Sequence, residues 1–174
     1  MDARYPIGKF VFDPAITADT RREHIGHIAA LPGQVEAALA ALPEGALDTP
    51  YRDGGWTARQ VVHHLADSHA NAYVRIKLAL TETDPPIKTY EEARWAELLD
   101  AKTLDPAISV ALLRALHTRM VTILESLTPD KLARTARHPE WGPISIDWIV
   151  QMYSWHGRHH LGHIDIVRLK RQRL

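Results

Sequence analysis

Apolar residues return every three or four positions along four long stretches of the chain, the spacing that lays one stripe along one face of a helix. In "TADTRREHIGHIAALPGQVEAALAALP", residues 17–43, the stripe is Ile25, Ile28, Leu31, Val35, Leu39 and Leu42, and Pro32 inside it predicts a kink or a restart. A second helix opens at Thr57, which forms a capping box with Gln60, while Trp56 and Val61 can staple the turn from either side. It is predicted to run to about Leu80, where "TDPPIKTYEE" ends it, a segment that reads as a functional loop or as a plain connector. "DPAISVALLRALHTRMVTILESL" supplies a third helix with Pro106 in its first turn and Val110, Leu113, Leu116, Met120, Ile123 and Leu127 as its stripe. The fourth is predicted from about Ser145 to Arg171.

Between these stretches the pattern breaks. Residues 1–16, with "YPIGKFVFDPAI", predict an extended arm; 44–56 are rich in turn residues; 91–99 can hold a short helix; "HPEWGPI" fits a tight turn or small hairpin. The expected fold is all-α: a four-helix bundle over residues 17–171, with an N-terminal arm (1–16) and short accessory helices, forming one domain over 1–174.

Charge adds little to this picture. Twenty-one basic and 21 acidic residues give zero formal net charge, so no broad field would draw in nucleic acid or an anionic membrane. The basic tail "RLKRQRL" (168–174) reads as a solvated helix end. The start carries no signal-like apolar region and no run reaches 18 apolar residues, which fits a cytoplasmic protein. With no cysteine, disulfides and thiolate ligands are excluded, and a metal site must use imidazole and carboxylate.

Histidine changes the picture most. In "YSWHGRHHLGHI" (153–164), four histidines fall within eight positions. Ile146, Ile149, Tyr153, His156, His160, His163 and Val167 form one seam, apolar, then imidazole, then apolar again. Three inward imidazoles need partners, because an unpaired buried polar group costs about 1–3 kcal/mol. His156 and His160, four apart, sit on one helix face and can reach one zinc-sized ion. The glutamate of a helical HExxH site is missing, so the pattern does not support a protease of that type. His159 points to the surface or rim. On the second helix Val61, His64, Leu65, Ser68 and Ala72 share the inward face. His64 is therefore either a core histidine bonded to a carbonyl or, opposite the other two, a third ligand. His63 and His69 are less well placed; His24 and His27 are expected on a solvated face; His117 and His138 have no partners by spacing. Asp67 can orient an imidazole N–H or pair with a cation such as Arg75.

These residues resemble the DinB/YfiT-like superfamily of metal-dependent hydrolases, and more closely its YfiT branch. The motifs carrying the resemblance are "YPIG", "TPYRDGGWT", "VVHHLADSH", "ALLRALH" and "YSWHGRHHLGHI", which together span nearly the whole chain. The resemblance implies a four-helix bundle holding one divalent ion through the histidine before leucine on the second helix, here His64, and an H-x3-H pair on the last, here His156 and His160. His159 and His163 form a competing pair of the same spacing; the family pattern and the inward seam favour 156/160. One ion per chain is expected, zinc by default and nickel as an alternative.

Three neutral imidazoles leave a coordination position open, and an ion so held can lower the pKa of bound water from 15.7 toward about 7. A hydrolase acting on a small-molecule substrate is the first expectation, with Asp67, Tyr153 and His163 as proton-transfer candidates. Some relatives are thiol S-transferases of the bacillithiol type. A low-molecular-weight thiol, held by cations such as Arg52, Arg75, Lys88 or Arg158, is therefore the rival expectation. A metal-binding protein without turnover is the third. The resemblance also implies a homodimer.

Overall fold

The computed structural model describes residues 2–171. Four long helices carry it: α1 (Ala18–Ala40), α2 (Ala58–Thr81), α5 (Pro106–Glu125) and α7 (Ile146–Arg171). Between them lie the short helices α3 (Glu92–Trp95), α4 (Leu99–Thr103) and α6 (Pro129–Leu132) and a hairpin of β1 (Thr135–His138) and β2 (Gly142–Ser145). The hairpin is antiparallel, with Thr135 opposite Ser145 and His138 opposite Gly142, so the "HPEWGPI" turn is a small hairpin. The last three residues of the basic tail lie outside the described residues.

Each long helix begins where a side chain can take up its free N–H groups. Thr17 accepts from the Thr20 amide, Asp105 from Ala107, and Ser145 from Trp148. At α2 the capping box is complete in both directions: Gln60 N–H donates to the Thr57 hydroxyl, and the Gln60 side chain accepts from the Thr57 amide. Trp56 packs on the apolar cluster that contains Val61, as the staple requires.

Of the kink or restart expected at Pro32, the restart does not occur: α1 runs through it as one helix. Proline removes one helical hydrogen bond, the one that would end on the Ile28 carbonyl. That carbonyl instead accepts from His117 Nδ1 of α5, 2.6 Å away. Anchored across the bundle, the helix continues.

α1 packs on α7 and α5, and α2 packs on the same two, so the sequence neighbours α1 and α2 stand across the bundle diagonal. α5 is long and apolar enough to cross a membrane by composition, yet Val110, Leu113, Met120 and Leu124 seat it in the bundle core. Its inward stripe is rotated from the expected one. Leu116, Ile123 and Leu127 are only partly buried, while His117 and Leu124 face inward. Selecting an apolar residue at every turn steps over a polar one on the true seam.

The arm lies along α7. Asp13 and Gln151 bond twice, amide to side chain and side chain to carbonyl, and the Trp155 indole donates to the Gly8 carbonyl. Arg21 of α1 makes a bidentate, largely buried ion pair with Asp147 in the first turn of α7. Asp147→Asn should lower unfolding stability by about 1–3 kcal/mol, read from denaturant midpoints. Metal content should be unchanged, since Asp147 lies about two and a half turns before His156 on α7.

Burial falls into two apolar clusters. One gathers Ile28, Ala72, Ile76, Met120 and Ile149; the other gathers Leu31, Val61, Leu65, Leu113 and Ile164. His69 of α2, His117 of α5 and the four histidines of α7 sit where one cluster gives way to the other. A layer of imidazoles thus crosses the middle of the core.

Candidate metal centre

That layer is built by α2 and α7, which pack side by side. Gly157, next to His156, allows the close approach of α1: a Cβ there would come within 2.7 Å of Leu31 Cδ2. His64 Nε2 and His156 Nε2 face each other at 3.2 Å. The His160 ring lies 4.8 Å from that of His64 and 4.5 Å from that of His156, centre to centre. One ligating nitrogen from each of the three falls within 4.8 Å of the others. Trp56, the residue that staples α2, lies tilted against His64 and parallel to His160, forming an apolar wall.

Burial keeps these rings uncharged. It pushes His64 down to about 4, with His159 and His163 adding repulsion. His156 and His160 are driven well below the usual histidine value, first by burial and then by their imidazole neighbours. Neutral imidazoles offer lone pairs, the form a cation requires. Two nitrogens bound about 2.0–2.1 Å from one ion at a tetrahedral angle stand roughly 3.3 Å apart. The His64–His156 spacing suits a shared ion as well as a shared proton. The residues fit a divalent ion of the zinc type, and an all-imidazole set also suits nickel, cobalt or iron.

A second triplet, His159, His160 and His163, also brings its nitrogens within 4.8 Å. His163 Nδ1 stands 3.2 Å from His160 Nδ1, and its ring stacks on Tyr51 at 3.9 Å. His159 is not at the surface: it is buried, stacked on Trp155 and covered by Tyr5 of the arm. The arm, whose packing the helical pattern cannot show, is what buries it. His159 Nδ1 has no hydrogen-bond partner among the described residues.

Other expectations need correction too. His69, set aside from the sequence, is fully buried, with its Nε2 3.4 Å from His156 Nδ1 and its Nδ1 2.9 Å from His117 Nε2. α2 is buried around most of its circumference, so no single face reveals the inward residues. His24 and His27 are half-buried, and each places Nδ1 within hydrogen-bond reach of the Ser154 hydroxyl. His63 bonds Ser109 and the Leu104 carbonyl, away from the cluster. His138 stacks on Trp141. No hydrogen bond joins the Asp67 carboxylate to an imidazole or to Arg75 among the described residues. The group is half-buried, and burial, with Asp100 nearby, raises it to about 6.

A cavity of about 410 Å³ opens on one side of His156, walled by Ser68, Arg75, Tyr90, Trp141 and Tyr153. Arg75 Nη1 donates to the Tyr153 hydroxyl at 3.4 Å. Burial raises the Tyr153 phenol above its usual value, so it stays protonated at neutral pH. Another cavity, of about 430 Å³, lies between α1 and α5 around Leu39, Leu42 and Val110 and touches none of these histidines.

A four-helix bundle with three converging imidazoles at its centre defines a class of protein able to hold a divalent ion. The chain belongs to the DinB superfamily, whose family model matches residues 27–164. An Oceanobacillus iheyensis protein named "Putative metal-dependent hydrolase" is 51% identical over 164 residues, covering 94% of this chain and 95% of that one. A Bacillus mycoides protein of the same name is 48% identical over 167 residues, 96% of each chain. The structure of YfiT from Bacillus subtilis, described as "a probable metal-dependent hydrolase with an unusual four-helix bundle topology", superposes with a TM-score of 0.94. It is 41% identical and covers 99% of both chains.

Proposed function

We propose that this chain is a divalent-metal-dependent hydrolase of small molecules, with His64, His156 and His160 holding one ion, zinc by preference. One observation carries the reading: the three nitrogens converge within 4.8 Å, and one of the three rings, His156, also forms a wall of a 410 Å³ cavity. A structural ion would be closed in by protein on every side, whereas a catalytic one keeps a side open. When bound, such an ion lowers the pKa of water and polarises an electrophile.

The chain's own groups do the rest. Tyr153, kept protonated, has a hydroxyl proton to offer a substrate in the cavity, and Arg75, which donates to its oxygen, supplies positive charge where negative charge would develop. Trp141 and Tyr90 exclude water and offer flat apolar surface to the body of a substrate. Asp67, at about 6, has the pKa of a group that can both take and give a proton near neutrality. Of the three proton-transfer candidates only Tyr153 lines the cavity, whereas His163 packs against His160 and Tyr51 and Asp67 lies outside the lining, so Tyr153 is the better candidate.

The charge of the cavity supports hydrolysis over transfer of an anionic thiol. Arg75 is its only lysine or arginine, against Glu91, Glu92 and Glu140. Arg52 lies over the Tyr51 ring, Arg158 bonds the Ser154 carbonyl, and Lys88 lines a neighbouring cavity. Zinc-loaded protein assayed against ester and amide panels and against thiol conjugation of an electrophile separates the two reactions. The expected result is metal-dependent hydrolysis that Arg75→Gln weakens at least tenfold in kcat/KM. Conjugation without hydrolysis would replace this reading with the transferase.

A further inference from the structure

In an α-helix the carbonyl of residue 28 accepts from the amide of residue 32. Here residue 32 is proline, which has no amide proton, so the Ile28 carbonyl on the inner face of α1 lacks its helical donor. His117 Nδ1 takes that place at 2.6 Å. A carbonyl oxygen can only accept, so Nδ1 carries the proton. In a neutral imidazole Nε2 is then an acceptor. His69 Nδ1, 2.9 Å from that nitrogen, must therefore donate to it, which makes His69 Nε2 an acceptor in turn. Facing His69 Nε2 at 3.4 Å, the longest of the three links, is His156 Nδ1. With its proton on Nδ1, His156 has a bare Nε2, the atom turned toward His64.

We propose that His69 and His117 are positioning residues: from the carbonyl that Pro32 leaves free, they pass one donor direction through two neutral rings and lock His156 in the Nδ1–H tautomer. No group gains or loses a proton; only the nitrogen that carries it is fixed. His69 and His117 are 0% and 1% exposed, and no carboxylate bonds either ring among the described residues, so nothing in their surroundings favours a second proton. A histidine that binds a metal commonly donates its other N–H to a carboxylate, a carbonyl or water. This chain uses an imidazole for that acceptor, which orients the ligand without adding a charge to the core. The buried carbonyl that ends the chain gives it a fixed direction. The tautomer order stands on these hydrogen bonds alone, and its effect on an ion rests on the metal reading above.

The test begins with metal-free full-length protein labelled with 15N at histidine, using long-range proton–nitrogen correlations to read the tautomers. His117, His69 and His156 should all show Nδ1–H. His117→Phe, which removes both hydrogen bonds, should leave His69 and His156 as tautomer mixtures. His117→Gln, whose amide can donate to Ile28 and whose oxygen can accept from His69, should restore a single form. Zinc affinity by chelator competition should fall about 10–100-fold in His117→Phe, the usual cost of losing a ligand's hydrogen-bond support, and recover in His117→Gln. An Nε2–H form of His156 in the unsubstituted protein, which needs no variant to fold, overturns the proposal. So does a His117→Phe protein with unchanged tautomers. Correct tautomers in a chain that binds no ion would uphold the ordered imidazoles and refute the metal reading instead.

Discussion

His64→Ala will abolish stoichiometric zinc binding, and His159→Ala will leave it intact. His160 belongs to both candidate triplets, so its loss alone cannot tell them apart, whereas His64 and His159 each belong to one. Removing a ligand should weaken binding by more than the roughly 10–100-fold that follows loss of a ligand's hydrogen-bond partner. The bundle should survive, because the apolar clusters on either side of the imidazole layer are untouched. Truncating a side chain of this size creates a cavity costing about 2–4 kcal/mol, partly offset by removing a buried polar group. Circular dichroism and metal analysis on the same samples check both halves. Retained binding in His64→Ala together with loss in His159→Ala would move the site to His159, His160 and His163.

The second large effect is on acid stability. The metal-free protein should lose stability steeply as pH falls from about 6.5 toward 4. An imidazole that titrates near 6.5 when unfolded and at about 4 when folded binds more protons in the unfolded state throughout that window. Its contribution is fully present above about 6.5 and is lost as pH drops to the folded value. His64 and His117 are each pushed down to about 4, chiefly by burial. Each should cost on the order of 2 kcal/mol at pH 5. His69, His156 and His160, shifted the same way, add to the slope. A fall in Tm of at least ~10 °C between pH 7.5 and 5 is expected for the metal-free chain, and bound zinc should raise Tm at neutral pH. A flat Tm over that range would mean that the imidazole layer is not buried and neutral.

Spacing alone carried much of this architecture. Four apolar stripes, the Thr57–Gln60 box and proline at the head of α5 predict the helices to within a few residues, and the seam on α7 puts His160 and His163 in the core and His156 half-buried at its edge. Reading the apolar positions failed where a helix is buried on more than one side or where the seam itself is polar. α2 shows no single face that would separate His69 from its neighbours. On α5 the leucine at 116 drew the expected stripe away from His117. Nor does a local pattern show what replaces the missing Pro32 amide, because the donor to the Ile28 carbonyl is His117, 89 positions beyond Ile28. The burial of His159 depends on Tyr5, and no periodicity within α7 can anticipate cover from a distant arm. The cavity beside His156 brings together residues from α2, the segment before α3, the hairpin and α7, a convergence set only by packing.

The position of one ion decides between the two histidine triplets. Protein prepared without a histidine tag, loaded with zinc, crystallised and recorded on both sides of the zinc absorption edge would locate it. The expected map has one anomalous peak per chain, within about 2.0–2.1 Å of a nitrogen of His64, His156 and His160 and open toward the cavity beside Tyr153. A peak bounded by His159 and His163, or none at full zinc loading, would contradict it.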